Sequence, residues 1–263
     1  ADFTEFMVNS VDWLYTRIEI DGEQLDLATS EFEDFVREID MKTGILTRSF
    51  VWKTKSGKRL AVKFERFVSM TQVKRTTQKI TIKPIGFSGE IYITSGLDFS
   101  QIHRNERKNL WDCKPGTIEK GEDIFMGIDG TTINTKLKVY SSCKVNAEYE
   151  SLEEVNEEKI VAVKLKANLE DGKDYVLTKV TNNVTLRDDG DLAVYDKEVE
   201  AVKSETETAC TLYDKLEKEN IDWWKKVWDS SDITIANDPE NQQGIRFCIF
   251  QMYQTYHGAV EGT

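Results

Sequence analysis

Leu46-Thr-Arg-Ser-Phe-Val-Trp-Lys-Thr-Lys55 and Lys58-Arg-Leu-Ala-Val-Lys-Phe-Glu-Arg-Phe-Val68, joined by Ser56-Gly57, read as one long β-hairpin. Successive side chains of a strand point to opposite faces. Phe50 and Trp52 therefore share one face, and Leu60, Val62 and Phe64 share the face opposite them across the turn. Working outward, Tyr15 to Ile20 alternates, Asp21-Gly22 makes a hairpin turn, and Gln24 to Leu27 alternates again. Phe32, Phe35, Val36 and Ile39 have a helical spacing that a strand also accommodates.

Downstream, strands are expected over Thr76–Ile82 and Glu90–Ser95, joined across Pro84 to Gly89. Residues 99–120 read as a long polar loop holding His103, Trp111 and Cys113. Asp123–Ile128, Thr131–Tyr149, Lys159–Asn168 and Asp174–Asn182 read as further strands, with turns at Asp129-Gly130 and Asp171-Gly172. The acidic stretch Glu148 to Glu158 reads as a solvated strand end and loop. Strands recurring about every ten residues indicate a mainly β fold, a large antiparallel β-sandwich.

Near residue 196 the period changes. Val199, Val202, Ala209, Leu212, Tyr213 and Leu216 recur at threes and fours. They predict an amphipathic helix of about six turns. Asn220 is placed to cap a second, short helix carrying Trp223, Trp224, Val227 and Trp228, which should clamp two bodies together. Asp238-Pro239 then opens a last helix, Asp as cap and Pro at the first position. From Ile245 onward apolar side chains fall on nearly every side: Ile245, Phe247, Cys248, Ile249, Phe250, Met252, Tyr253 and Tyr256. Such a helix is expected to be buried, and the sequence ends at Thr263, so a helical domain is expected to begin here. Arg246 on that helix implies a carboxylate partner.

A net charge of −12 argues against nucleic acid and anionic membrane as partners, since both require a basic face. No apolar run approaches the ~20 residues of a membrane span. Four cysteines form no CxxC pair or zinc spacing, and a reducing cytoplasm fits them. Two histidines are too few for a histidine-based metal cluster, and His103 reads as a plain surface residue. No GxSxG, P-loop, HExxH or dinucleotide fingerprint is present, so neither a metal nor a cofactor is expected.

Five segments, taken in order, resemble one family. Arg17-Ile-Glu-Ile-Asp-Gly-Glu23, Arg37-Glu-Ile-Asp-Met-Lys-Thr-Gly-Ile-Leu-Thr-Arg-Ser-Phe50 and Phe64-Glu-Arg-Phe-Val-Ser69 resemble the N-terminal β-domain of glycoside hydrolase family 65. Trp224-Lys-Lys-Val-Trp228 with Ser231-Asp-Ile233 resembles its linker. Gln242 to Gly258 resembles the opening helix of its catalytic barrel. The family comprises the inverting maltose, trehalose, kojibiose and nigerose phosphorylases. The resemblance implies a sandwich over 1–195, a helical linker over 196–236, and the start of an (α/α)6 barrel over 237–263.

The resemblance also implies a parent enzyme that converts an α-glucosyl disaccharide plus phosphate to β-glucose 1-phosphate and a free sugar. Its catalytic Glu and phosphate pocket would lie downstream, so no catalytic residue is assigned here and the chain alone should be inactive. Phosphate would be a co-substrate, not a cofactor. The partners implied are the downstream barrel, the disaccharide, phosphate and a second subunit in a homodimer. In the family the last helix borders the glucosyl pocket, which makes Tyr253, Gln254, Tyr256 and His257 candidate substrate-binding residues. Against that, Tyr253 and Tyr256 also suit a barrel core. The competing reading is a free-standing carbohydrate-binding sandwich with exposed aromatic side chains on a sheet face.

Overall fold

The computed structural model describes residues 7–187 and 190–256. The opening hairpin is formed by β4 (Ile45–Lys53) and β5 (Arg59–Val68), with Phe50 opposite Val62 and Trp52 opposite Leu60. It belongs to a nine-stranded antiparallel sheet. That sheet adds β3 (Glu31–Asp40) and β6 (Arg75–Ile85), then β14 (Tyr175–Leu186), β11 (Lys138–Asn146), β10 (Ile124–Thr132) and β8 (Trp111–Cys113), with β9 (Thr117–Lys120) also on β10. A five-stranded sheet lies against it, ordered β12 (Ser151–Asn156), β13 (Ile160–Leu169), β7 (Gly89–Asp98), β1 (Thr16–Ile20) and β2 (Glu23–Gln24). Ile18, Ile91, Ile93 and Leu165 of the small sheet meet Trp52, Leu60, Ile80, Ile82 and Leu177 of the large one. This buried layer is the main core.

The other face of the large sheet is covered by helices. Helix α1 (Leu192–Lys203) sets Tyr195 and Val199 on Tyr140 and Val184. Helix α2 (Ala209–Ser231) sets Leu212, Tyr213 and Leu216 on Phe67 and Val180. A third helix, α3 (Pro239–Thr255), packs only on α2 and its surroundings.

Several details depart from the sequence expectations. The strands expected at 76–82 and 90–95 form as the longer β6 and β7, and they lie in different sheets. The supposed loop 99–120 contains β8 and β9, and His103 within it is buried, its Nδ1 accepting from the Glu106 N–H at 3.2 Å. Asp129-Gly130 is not a turn. Gly130 lies inside β10 beneath the Phe99 and Trp111 rings, where a Cβ would come within 3.1 Å of both. Glycine serves there for close approach, and the chain turns only after Thr132. Glu148–Glu158 holds a real edge strand, β12.

The expected six-turn helix is two helices. Helix α1 ends at the Ser204 cap, and Thr208 caps α2 by accepting from the Thr211 N–H. The expected break at Asn220 is absent, and α2 runs straight through it. Asn220 is buried and spends its amide across the interface, accepting from the Met70 N–H at 3.0 Å and donating to the Thr43 carbonyl at 2.6 Å. A cap needs its side chain free for its own helix, and this one is engaged elsewhere.

Residues Phe32 to Ile39 are strand, as half of the spacing allowed. A bulge between Glu33 and Val36, with Asp34 at φ 55°, inserts an extra residue. It brings Phe32 and Phe35 to the same ring, Phe50, at 5.9 and 6.1 Å. The helical-looking interval is the mark of that bulge.

Lys179 of β14 is fully buried between the sheets. Its ammonium donates to the carbonyl of Gly96, with Tyr15 O at 3.5 Å, and no carboxylate among the described residues bonds it. Burial pushes its pKa below the ordinary lysine value. The unfolded chain therefore binds a proton more readily than the folded one, and this group makes stability rise with pH. Over the range from neutrality to about pH 10, the midpoint of thermal unfolding should climb in the parent relative to a Lys179→Met variant. Parallel curves for the two proteins would contradict a destabilising buried charge.

Candidate functional site

The junction of α2 and α3 gathers the candidate residues. Asp238 caps α3 by accepting from the Asn241 N–H at 3.1 Å, with Pro239 at the first turn. That backbone bond, and then the Asn241 side chain, hold the Asp238 carboxyl below the usual range. Gln242 straps the connection to the helix. Its side-chain oxygen accepts from Ile235 N–H at 2.6 Å and its NH2 donates to Ile233 O at 2.8 Å. Arg246 forms a two-pronged ion pair with Asp232, the cap of α2, at 2.8 and 2.7 Å. The carboxylate partner expected for Arg246 is thus found one helix back, and the guanidinium holds the Asp232 carboxyl low.

The apolar half of the junction is an aromatic stack. Phe250 lies near-parallel to Trp224 at 4.4 Å, and Trp228 stacks with Trp224 at 6.2 Å. Trp223 stands edge-on to Trp224 and to Tyr253. Trp228 donates its indole N–H to Met41 O at 2.7 Å. Trp224 covers Gly44, whose φ of +72° and lack of Cβ are both required; a Cβ would sit 2.4 Å from Trp224 Nε1. The clamp expected from the tryptophans therefore joins three pieces: α2, α3 and the turn between β3 and β4.

The four candidate binding residues are not brought together. Tyr253 is half-buried, edge-on to Trp223, and its hydroxyl shares a 2.7 Å hydrogen bond with Ser231. Gln254 is exposed and Tyr256 is 83% exposed. His257 lies outside the described residues. Helix α3 also departs from the expectation of all-round burial. Ile249 and Phe250 are buried, whereas Phe247 at 47% and Met252 at 56% face outward. Beside the junction a groove of about 690 Å³ runs between Met41, Ile221, Trp228 and the Asp232–Arg246 pair.

The chemistry available to the described residues is limited. Burial pushes the Cys113 and Cys143 thiols up to about 11, far from thiolate reactivity. Desolvation raises the Glu217 carboxyl on α2, but Lys79, Asp214, Glu65 and Lys63 around it make it one member of a mixed charge cluster. Among the described residues no group of three His, Cys, Asp or Glu side chains is placed to hold a metal ion. What the junction offers is a packing surface with polar groups at its end. Sequence reasoning missed the roles of Gly44, Met41 and Gln242, since their partners lie far away in the chain or show only in three dimensions.

Comparison with known proteins agrees with this architecture. Residues 1–227 match the family profile described as Glycosyl hydrolase family 65, N-terminal domain. An α,α-trehalose phosphorylase of Thermoanaerobacter brockii is 28% identical over 97% of this chain and 34% of its own length. A maltose phosphorylase of Bacillus subtilis is 27% identical over 96% of this chain and 33% of its own. A solved structure described as a kojibiose phosphorylase from the human microbiome superposes with a TM-score of 0.82 at 25% identity, covering 96% of this chain and 32% of that one. The chain spans about a third of the length of the curated relatives it matches.

Trp224→Ala would remove both parallel stacks and should cost about 3–5 kcal/mol, the usual range for a buried aromatic truncated to alanine. Gly44→Ala should destabilise by the same route, as strain and a clash against that indole. Denaturant titration of both variants measures this, and unchanged midpoints would show that the stack does not hold the junction.

Proposed function

The chain belongs to glycosyl hydrolase family 65, whose N-terminal domain it carries, and on that premise we propose that it is the non-catalytic N-terminal part of an inverting α-glucosyl disaccharide phosphorylase. The parent enzyme would convert disaccharide and phosphate to β-glucose 1-phosphate and a free sugar. Inorganic phosphate would attack the anomeric carbon while one protonated carboxyl releases the leaving oxygen. That acid and the phosphate pocket belong to a downstream barrel in this reading. No cofactor is needed, and these 263 residues alone are inactive.

The observation that carries the reading is α3. Its inner side is fixed by Phe250 and the Arg246–Asp232 pair, while Phe247 and Met252 on either flank, and Tyr256 at the end, stand exposed. Exposed apolar side chains of this kind suit packing against further helices. Residues 1–195 would be the supporting sandwich, 196–236 the linker and 237–263 the first barrel helix. Tyr253, Gln254, Tyr256 and His257 would border the glucosyl pocket. The enzyme would act in the cytoplasm as a homodimer, a setting that the free cysteines suit.

A second reading, a free-standing carbohydrate-binding sandwich, draws on Phe32 and Phe35, which lie partly exposed side by side at 5.6 Å. Calorimetric titration of α-glucosyl disaccharides separates the two, since tight binding lost in Phe32→Ala favours the module.

The protein as its native host makes it should have a mass well above 30.3 kDa and should release β-glucose 1-phosphate from an α-glucosyl disaccharide and phosphate. In that enzyme, Gln254→Ala and Tyr256→Ala should raise KM for the disaccharide roughly fivefold or more while leaving the melting temperature unchanged. A native mass near that of this chain, with no phosphorolysis, overturns the reading.

A further inference from the structure

Outside the α2–α3 junction, a set of arginines on the large sheet has no role in the contacts described so far. Arg37, Arg48 and Arg66 stand on adjacent strands β3, β4 and β5 and all line one cavity of about 450 Å³. Arg37 pairs directly with Arg48 across the ladder, and Arg66 lies opposite Leu46, two residues along β4 from Arg48. Like charges directly opposite one another weaken a sheet. The cavity opens between these strands and the β1–β2 side of the small sheet, with Leu25, Leu27, Phe50 and Phe64 as apolar wall.

Among the described residues no carboxylate hydrogen-bonds these guanidinium groups, and the opposing influence is the through-space charge of Asp12 on Arg66. The carboxylates lining the cavity each have one bond of their own: Asp12 accepts from Leu14 N–H at 2.9 Å, Asp26 from Ala28 N–H at 2.9 Å, and Glu65 pairs with Lys63 at 2.7 Å. Arg48 lies over the Phe64 ring at 4.4 Å, and its buried Nε has no hydrogen-bond partner. A buried guanidinium N–H left unpaired costs free energy that folding does not recover. Burial, and then the charge of neighbouring guanidinium groups, lowers the pKa of Arg48 and Arg66. The three guanidinium groups, set together on adjacent strands, offer a local attraction for anions at their end of a cavity that Asp12, Asp26 and Glu65 also line.

The geometry points to a binding site for the phosphate monoester of a sugar or similar small polyol, seated in the cavity with its phosphate on Arg37, Arg48 and Arg66. Guanidinium forks match phosphate oxygens in pairs, and a doubly charged phosphate suits several of them better than a carboxylate does. The cavity is larger than a phosphate ion needs and falls within the range of small-molecule sites. Asp12, Asp26, Thr16 and Gln78 also line the cavity, the Thr16 hydroxyl donating to the Gln78 amide oxygen at 3.3 Å, and their remaining donor and acceptor positions can bond hydroxyl groups. The site stands independently of the phosphorolysis reading and is not part of the α2–α3 junction.

The test is thermal unfolding of the full-length protein with glucose 6-phosphate, inorganic phosphate or glucose, each at matched ionic strength. A ligand that binds only the folded state raises the midpoint in proportion to its occupancy. Glucose 6-phosphate should raise it most, phosphate less, and glucose least. Arg48→Gln, Arg66→Gln and the exposed Arg37→Gln should each weaken the glucose 6-phosphate response roughly tenfold in concentration. Without ligand, the variants should melt no lower than the parent, because substitution relieves repulsion. An equal response in parent and variants overturns the proposal, as does no response in the parent. An identical response to phosphate alone overturns the sugar part of it.

Discussion

The nine-stranded sheet has apolar side chains on both faces of its central strands, so it must be covered twice. Along β14, Leu177 points to the small sheet while Val180 and Val184 point the other way. The five-stranded sheet satisfies the first face. The second cannot be met by the sandwich itself, and α1 and α2 meet it. This double requirement fixes where the helices lie and, through α2, where α3 is held.

From that placement the junction follows. Helix α2 extends beyond the sheet, and its last turns carry the tryptophans to the β3–β4 turn. Asn220 and Trp228 each bond a carbonyl of that turn, and Trp224 lies over its Gly44. Trp224 also takes Phe250 against its ring, at 4.4 Å. One indole thus touches the sandwich and the last helix at once, and the polar bonds around it set the angle at which α3 leaves.

The sheets were legible where alternation is local, as in the β4–β5 hairpin, because the period of two is written in adjacent residues. Legibility failed where a residue serves a distant partner. Gly130 looked like a turn because its need for space comes from Phe99 and Trp111. Asn220 looked like a cap because Met70 and Thr43 are about 150 and 180 positions away. His103 looked exposed because its segment is polar in composition, although the local turn of residues 103–108 buries it. For the candidate site, the Arg246 partnership was legible as chemistry but not as an address. Tyr253 sits within the clamp, whereas Gln254 and Tyr256 project away from every described element. The arginine cavity was invisible because its members lie 11 and 18 positions apart and meet only once three strands pair.

Lys179 has one further consequence. Side chains alternate along β14, so a shift of one residue in its pairing would carry the ammonium from its carbonyl partners to the face that receives Leu212 and Tyr213. There it would meet hydrocarbon and an aromatic ring, while Thr178 or Val180 would stand before carbonyls left unbonded. A leucine at 179 would tolerate either alignment far better. The buried cation lowers the stability of the correct arrangement and lowers that of the slipped one more, so it works as a proofreading residue for how the central strand is threaded.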